Sequence, residues 1–169
     1  LCALAFYPIA IKRWGLSFKQ SFLWCCLGYG THALLDACTS YGTRLYWPFS
    51  DTRVAWDTIS IVDPLFTSPL LCLVLFAAAL KRKRYSTVAL GWLVIYMSIG
   101  FIQHERAVNI GEQIAQSRGH HPIHVSAKPS FANIVVWKTI YEADGQFYID
   151  AVKPTFKEPI IWQGDAIQN

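Results

Sequence analysis

His32 and Asp36 stand four residues apart at the end of a stretch, Gln20 to Leu35, that carries no Asp, Glu, Lys or Arg. On a helix that spacing puts both side chains on one face, one turn apart. Three chemistries fit the pair. A neutral imidazole and a carboxylate suit a divalent metal, since zinc takes nitrogen and oxygen ligands at about 2.0–2.2 Å, although two ligands leave the rest of the shell to come from elsewhere. Asp36 could instead fix the tautomer of His32 and make it a general base. The third reading is a hydrogen-bonded pair that only holds helices together. An ionisable residue in so apolar a stretch is costly in a bilayer, and for that reason marks a functional site first.

Further polar groups follow in the connector 39–63. Arg53 could clamp a phosphate bidentately, or pair with Asp51 or Asp57. Asp57 adds a carboxylate at the same level. Asp63-Pro64 reads as a helix start, with Asp at the N-cap and Pro at the first helical position. Thr39, Ser40, Thr43 and Thr67 could donate to a phosphate or to a ligand's partner, and caps and turns use the same residues. His104-Glu105-Arg106 reads as a water-facing helix end. His120, His121 and His124 sit in a Gly/Pro loop without a fixed scaffold and read as solvated. The five cysteines, Cys2, Cys25, Cys26, Cys38 and Cys72, form no Cys-x-x-Cys spacing and read as small hydrophobes.

The elements that must position these groups are membrane helices. Of 169 residues 53% are apolar and 15% aromatic, and the apolar residues come in blocks. Pro64 to Leu80 and Ser86 to Gln103 carry no charge, and each is near the length that crosses about 30 Å of hydrocarbon. Three such blocks, counting 20–38, predict a mainly α, polytopic membrane protein. Leu1 to Ile11 is apolar but too short to span and lacks a basic leader, so the chain reads as a fragment that starts inside a helix. The net charge of +4 is a topology signal rather than a nucleic-acid patch, because Lys81-Arg82-Lys83-Arg84 and Lys12, Arg13 and Lys19 lie in short loops between blocks. With those loops cytoplasmic, helix 20–38 runs outward, 64–80 returns, and 86–103 runs out again. His32, Asp36, the connector and everything after about 104 then share the extracytoplasmic side.

The connector concentrates Tyr41, Tyr46, Trp47, Phe49 and Trp56, the aromatics of membrane interfaces. It reads either as a lid over the His32 site or as an interfacial belt. Beyond 103 the spacing of Ala107, Ile110 and Ile114 predicts a short amphipathic helix over 105–118. Phe131 to Ala143 and Gln146 to Val152 then read as two strands joined across Asp144-Gly145, and Pro159 to Trp162 as a third short strand. The organisation is therefore a helical region 1–103 and a small β-hairpin-containing tail 104–169.

Thr31-His32-Ala33-Leu34-Leu35-Asp36, Thr39-Ser40-Tyr41-Gly42-Thr43, Trp47-Pro48-Phe49-Ser50, and Ile61 to Thr67 occur in that order, followed by Lys128 to Asn133 and Val136-Trp137. This string resembles the bacterial membrane-bound metal-dependent hydrolases, also described as LexA-binding, inner-membrane-associated hydrolases, over most of 28–152. The resemblance implies a multi-helix inner-membrane protein whose metal, zinc by likeness to phospholipase C and P1-type nucleases, is held by His32 and Asp36. It also implies a LexA-like protein partner. The family's further His and Asp motifs are absent, so this chain would hold only part of the metal site. The expected function is hydrolysis of a lipid or envelope phosphoester at the outer membrane face, with Asp36, Asp57 and Arg53 as catalytic candidates. The alternative is a non-enzymatic membrane scaffold or regulator in which His32–Asp36 is structural.

Overall fold

A computed structural model describes residues 2–168, and of Cys2 the backbone only. Leu1, with which the first apolar run begins, and Asn169 lie outside the described residues. Four helices come first: α1 (Cys2–Trp14), α2 (Phe18–Ala37), α3 (Pro64–Leu80) and α4 (Lys83–Ser117). Five strands follow: β1 (Val125–Pro129), β2 (Trp137–Ala143), β3 (Gln146–Lys153), β4 (Ile160–Trp162) and β5 (Ala166–Gln168). The protein is thus mainly helical with a small antiparallel sheet.

Local chemistry explains the helix starts. Ser17 and Gln20 form a reciprocal capping box at α2. Asp63 caps α3, its Oδ1 accepting from the Leu65 and Phe66 amides at 3.0 and 3.2 Å, with Pro64 at the first helical position. Among the described residues one helix, α4, is long and apolar enough to cross a membrane, and α3 is apolar but shorter. α2 has the length but not the hydropathy, because Gln20, Gly28, Gly30, Thr31, His32 and Asp36 interrupt it.

α4 departs from the sequence expectation of two helices meeting near residue 104. It runs unbroken for 35 residues, about 50 Å at 1.5 Å per residue. Nothing between Gln103 and Glu105 caps or breaks it, and the first glycine past its end, Gly119, takes a left-handed φ of 77°. Its apolar first half packs on α3, while Ala107, Ile110, Gly111, Ile114 and Ala115 in its second half are buried against the sheet. Gly111 permits that approach: a Cβ there would lie 2.8 Å from Val125 Cγ1 and 3.1 Å from Thr139. Higher up, a Cβ at Gly100 would stand 2.6 Å from the Thr58 carbonyl oxygen, so the connector lies directly on α4.

The sheet is antiparallel in the order β1-β2-β3-β4, with β5 also on β3. The β2–β3 hairpin pairs Ala143 with Gln146, and Asp144 and Gly145 both take positive φ, as its tight turn requires. β2 begins at Trp137 rather than at Phe131. Residues 131–136 are a turn in which Asn133 Oδ1 accepts from the Val135 and Val136 amides and Ala132 has φ 63°. The sheet core is Trp137, Tyr141 and Val152, all essentially inaccessible.

Candidate functional site

α2 ends where the connector begins, and the connector folds back on that end. The Trp56 amide donates to the Ala37 carbonyl (2.7 Å), and the Thr58 amide to that of Cys38 (2.9 Å). Thr58 Oγ1 donates to the same Cys38 oxygen at 3.0 Å. Asp57 therefore sits beside the last turn of α2. Thr43 and Val54 bond each other in both directions at 2.9 and 2.8 Å and hold the aromatic loop 44–53 as a closed excursion.

His32 Nε2 lies 3.4 Å from Asp36 Oδ2, with the two side chains 71% and 46% exposed. α2 packs on α1, and Leu35 in its last turn packs on the cluster of Cys38, Ile59, Phe66 and Tyr96, while the His32 side chain stays exposed. The separation bears on metal ligation. Two ligands about 2.0–2.1 Å from one tetrahedral ion stand about 3.3–3.4 Å apart, which is the spacing of this pair. The residues present fit half of such a site. Among the described residues no group of three or more His, Cys, Asp or Glu side chains converges as a metal shell.

The remaining candidates are dispersed by the connector. Arg53 donates to the Tyr41 carbonyl at 3.2 Å and lies over the Tyr41 ring, and Arg44, not Arg53, pairs with Asp51 at 3.0 Å. Asp63 is buried, with Oδ1 on the α3 amides and Oδ2 accepting from Tyr96 Oη at 2.6 Å, which accounts for both oxygens as a helix cap and an anchor for α4. Thr39 Oγ1 donates to the Asp36 carbonyl at 2.8 Å. Ser40 Oγ and Asp57 Oδ1 are shut off from solvent and have no hydrogen-bond partner among the described residues. An unsatisfied buried group of this kind costs about 1–3 kcal/mol. Asp57 also holds φ 51°, uncommon for a residue other than glycine.

Asp57 opens onto a cleft of about 650 Å³ between the connector, the second half of α4 and the segment 120–126. Most of its other walls are residues that the sequence assigns to solvent or to the membrane interface. His104 and Glu105, expected to face water at a helix end, line it from mid-helix; they pair at 3.5 Å, and the His104 ring meets Trp137 edge-on at 5.8 Å. Glu112, one helical face further on, also lines the cleft. His121 and His124 are exposed, but His120 is half-buried, its ring 4.6 Å from that of Tyr148 and its Nδ1 3.1 Å from Tyr141 Oη. Arg118 donates to that Oη at 3.0 Å and to both oxygens of the buried Asp150 at 2.8 Å. Asp150, foremost by these hydrogen bonds, raises the Arg118 guanidinium above its ordinary value, against the opposing effect of burial. Only the i, i+1, i+8 face of His104, Glu105 and Glu112 could have hinted at this cleft, because its other walls come from distant segments.

Residues 1–107 match the profile of a family described as YdjM inner membrane protein. No curated protein and no solved structure matches the chain.

Proposed function

This chain belongs to the YdjM inner membrane protein family, and from that premise we propose that it is a polytopic inner-membrane protein contributing two metal ligands, His32 and Asp36, to a hydrolytic site at the extracytoplasmic face. The observation that carries this reading is the 3.4 Å separation of His32 Nε2 and Asp36 Oδ2 on a helix face where both side chains stay exposed. A bound divalent ion, zinc by its ligand types, would supply a water of lowered pKa. Asp57 and Arg53 are the supporting groups. The site's level in the membrane favours a phosphoester of lipid or envelope origin as substrate.

The topology proposed with it has the loops at Lys12–Lys19 and Lys81–Arg84 in the cytoplasm and the sheet outside, in keeping with the positive-inside rule. Residues 1–103 would then form the membrane region and 104–169 the extracytoplasmic tail, with the second half of α4 connecting the two. A periplasm-active reporter fused after Gly119 should be active, and activity of a cytoplasm-only reporter there would invert the placement.

A second reading, a non-enzymatic scaffold or regulator, draws on the lack of a converging three-ligand group among the described residues. Metal analysis of the purified protein, beside His32→Ala and Asp36→Ala, separates the two. The hydrolase reading expects a bound divalent metal that each variant loses by tenfold or more in affinity. A metal-free protein, or variants that keep the metal fully, would leave the scaffold reading in place.

A further inference from the structure

The turn after β3, residues 154–158, stands where α4 passes from its apolar half to the half that carries the sheet. Ile95, Ile99 and Ile102 are exposed, and their spacing makes them one stripe of α4. Arg106 is the next residue on that stripe, one turn or about 6 Å beyond Ile102. It donates from Nη1 to Gln103 Oε1 at 2.8 Å and from Nη2 to the Thr155 carbonyl, and its guanidinium lies 5.7 Å from the centre of the Phe156 ring. Phe156 is nonetheless fully exposed. The apolar stripe of α4 thus leads to an aromatic ring that the fold does not bury. A second exposed ring, Phe131, stands on the turn 130–136, which is tied to the connector by the Ala132 amide donating to Ser60 Oγ at 3.0 Å.

Charge is polarised in the same direction. Lys128 pairs with Lys138 and Lys138 with Ala151 across the strands, and partners directly opposite share a face. Lys153, two residues beyond Ala151, points the same way. The three lysines therefore lie on the outer face of the sheet, since α4 meets the other face at Val125 and Thr139. They occupy the end that carries Trp137, whose ring meets His104 of α4. Lys157 adjoins Phe156, and the strands and turns at this end add one exposed carboxylate, Glu158. The opposite half of the sheet carries Glu142, Asp144 and Asp165, while Arg118 on that side is bonded to Asp150. Lys128 and Lys138, directly opposite each other, repel, and an anionic surface would relieve that repulsion.

We propose that this end of the sheet rests on the anionic headgroup layer of the bilayer that holds α3 and α4. Phe131 and Phe156 enter the headgroup region, and Lys128, Lys138, Lys153 and Lys157 face lipid phosphates. The inference rests on the membrane placement of the helical half and not on the metal site. The occupant is the chain's own bilayer because the exposed apolar stripe of α4 runs up to Phe156. Apolar burial combined with attraction to anionic lipid is the general means of holding a segment at a membrane surface, and lysine stems are long enough to carry their ammonium groups to it.

The test is photo-crosslinking of the whole protein in nanodiscs of phosphatidylcholine containing one quarter phosphatidylglycerol. Phe156→p-benzoylphenylalanine is the probe, and Phe147→p-benzoylphenylalanine, on the same face at the opposite end of the sheet, is the control. Mass spectrometry reads the adducts. The probe at 156 should capture lipid, with phosphatidylglycerol enriched about threefold or more over its share of the bilayer, and the probe at 147 at least tenfold less lipid. Substituting Lys128, Lys138, Lys153 and Lys157 together by Gln should return the adducts to the bilayer's own ratio, with β2 and β3 amide exchange unchanged. In the unsubstituted chain 1 M salt should do the same, because its screening length is about 3 Å. Adducts at 156 to a second copy of the chain instead of lipid, lipid captured in the bulk ratio, or enrichment that survives 1 M salt would overturn the proposal. A chain that does not enter nanodiscs would overturn the membrane placement itself, whereas an inserted chain without lipid adducts at 156 overturns this inference alone. His32→Ala should leave the adducts unchanged, so the metal site fails or stands separately.

Discussion

The two ends of the molecule are built in opposite senses. At the sheet end the large side chains point inward: Trp137, Tyr141 and Val152 are all but inaccessible, and the second half of α4 buries Ile110 and Ile114 against them. In the helical end they point outward. Trp24 is 62% exposed, and Leu23, Phe76, Leu90 and Ile102 each exceed half. Most residues buried there are small or polar, Ala10, Ser21, Ala37 and Ala89 among them, with Ile59, Phe66 and Tyr96 at the connector level as the exceptions. Apolar surface outside and small residues between helices is the pattern of membrane helices, whereas the sheet and the second half of α4 exclude water with a core that continues to Ile59, Phe66 and Tyr96 at the connector level. The comparison teaches where packing free energy resides: in the sheet half and at the connector level, and little of it along the outer faces of the helices.

The sharpest way to break that contrast is to remove one tryptophan from each half. Trp137→Ala should cost the sheet about 3–5 kcal/mol, as full truncations of buried aromatics do, and it strands the Ile134 carbonyl that accepts from the indole at 3.0 Å. Hydrogen exchange of the β2 and β3 amides, measured on the whole protein in nanodiscs, should rise accordingly. Trp24→Ala should leave those amides protected. Comparable loss of protection in both variants would mean that the exposed helical surface supports the sheet as much as the buried cluster around Trp137 does.

Next in size is Asp150→Ala, which leaves Arg118, 21% exposed, without its bidentate partner. Breaking a buried pair from one side costs about 3–5 kcal/mol, read by the same exchange experiment. The direction with pH is set by the raised Arg118 guanidinium. A group raised in the folded state contributes fully below its ordinary value and loses that contribution only as pH rises through the raised one. For arginine this lies above any pH at which the protein would be handled, so the pair should show no alkaline loss, and a fall in sheet stability between neutral pH and pH 10 would contradict it. A smaller test stays on one helix. Gly111→Ala should cost about 1–3 kcal/mol by overpacking against Val125 and Thr139. Gly91→Ala meets nothing within 4 Å and should leave stability unchanged, or raised by under about 1 kcal/mol. Thermal unfolding of the two variants reads the opposite signs.

The parts that could be read from the sequence are those where a local rule decides. Asp63-Pro64 caps a helix because a carboxylate beside free amides does so in most contexts, and Asp144-Gly145 makes a hairpin because both positions need positive φ. β1 could not be read: Val125-Ser-Ala-Lys-Pro129 has weak strand character, and its conformation comes from pairing with β2. The strand expected from Phe131 starts six residues later because Asn133 closes a turn on itself. For the candidate sites the same division holds. His32 and Asp36 lie one turn apart on a single helix, so spacing alone predicted their meeting. The cleft assembles Asp57, Glu112 and His120 from three segments, and its histidines look idle until Tyr141 and Arg118, contributed by the sheet and the end of α4, fix one of them.

The smallest expected effect discriminates most between the two functional readings. His32 and Asp36 are 71% and 46% exposed, and exposed i, i+4 pairs contribute about 0.3–0.5 kcal/mol. His32→Ala should therefore change the unfolding of α2, followed by exchange of the amides between Gly28 and Cys38, by less than about 1 kcal/mol. With the imidazole 71% exposed, there is little packing to lose. If His32–Asp36 were the structural pair of the scaffold reading, the substitution would have to loosen α2 or its attachment to the connector, and Trp56, whose amide bonds Ala37 at 2.7 Å, would report it by fluorescence. A variant with intact α2 protection and lost metal affinity separates ligation from folding. One with loosened α2 makes any loss of metal a consequence of unfolding, and returns the pair to a structural role.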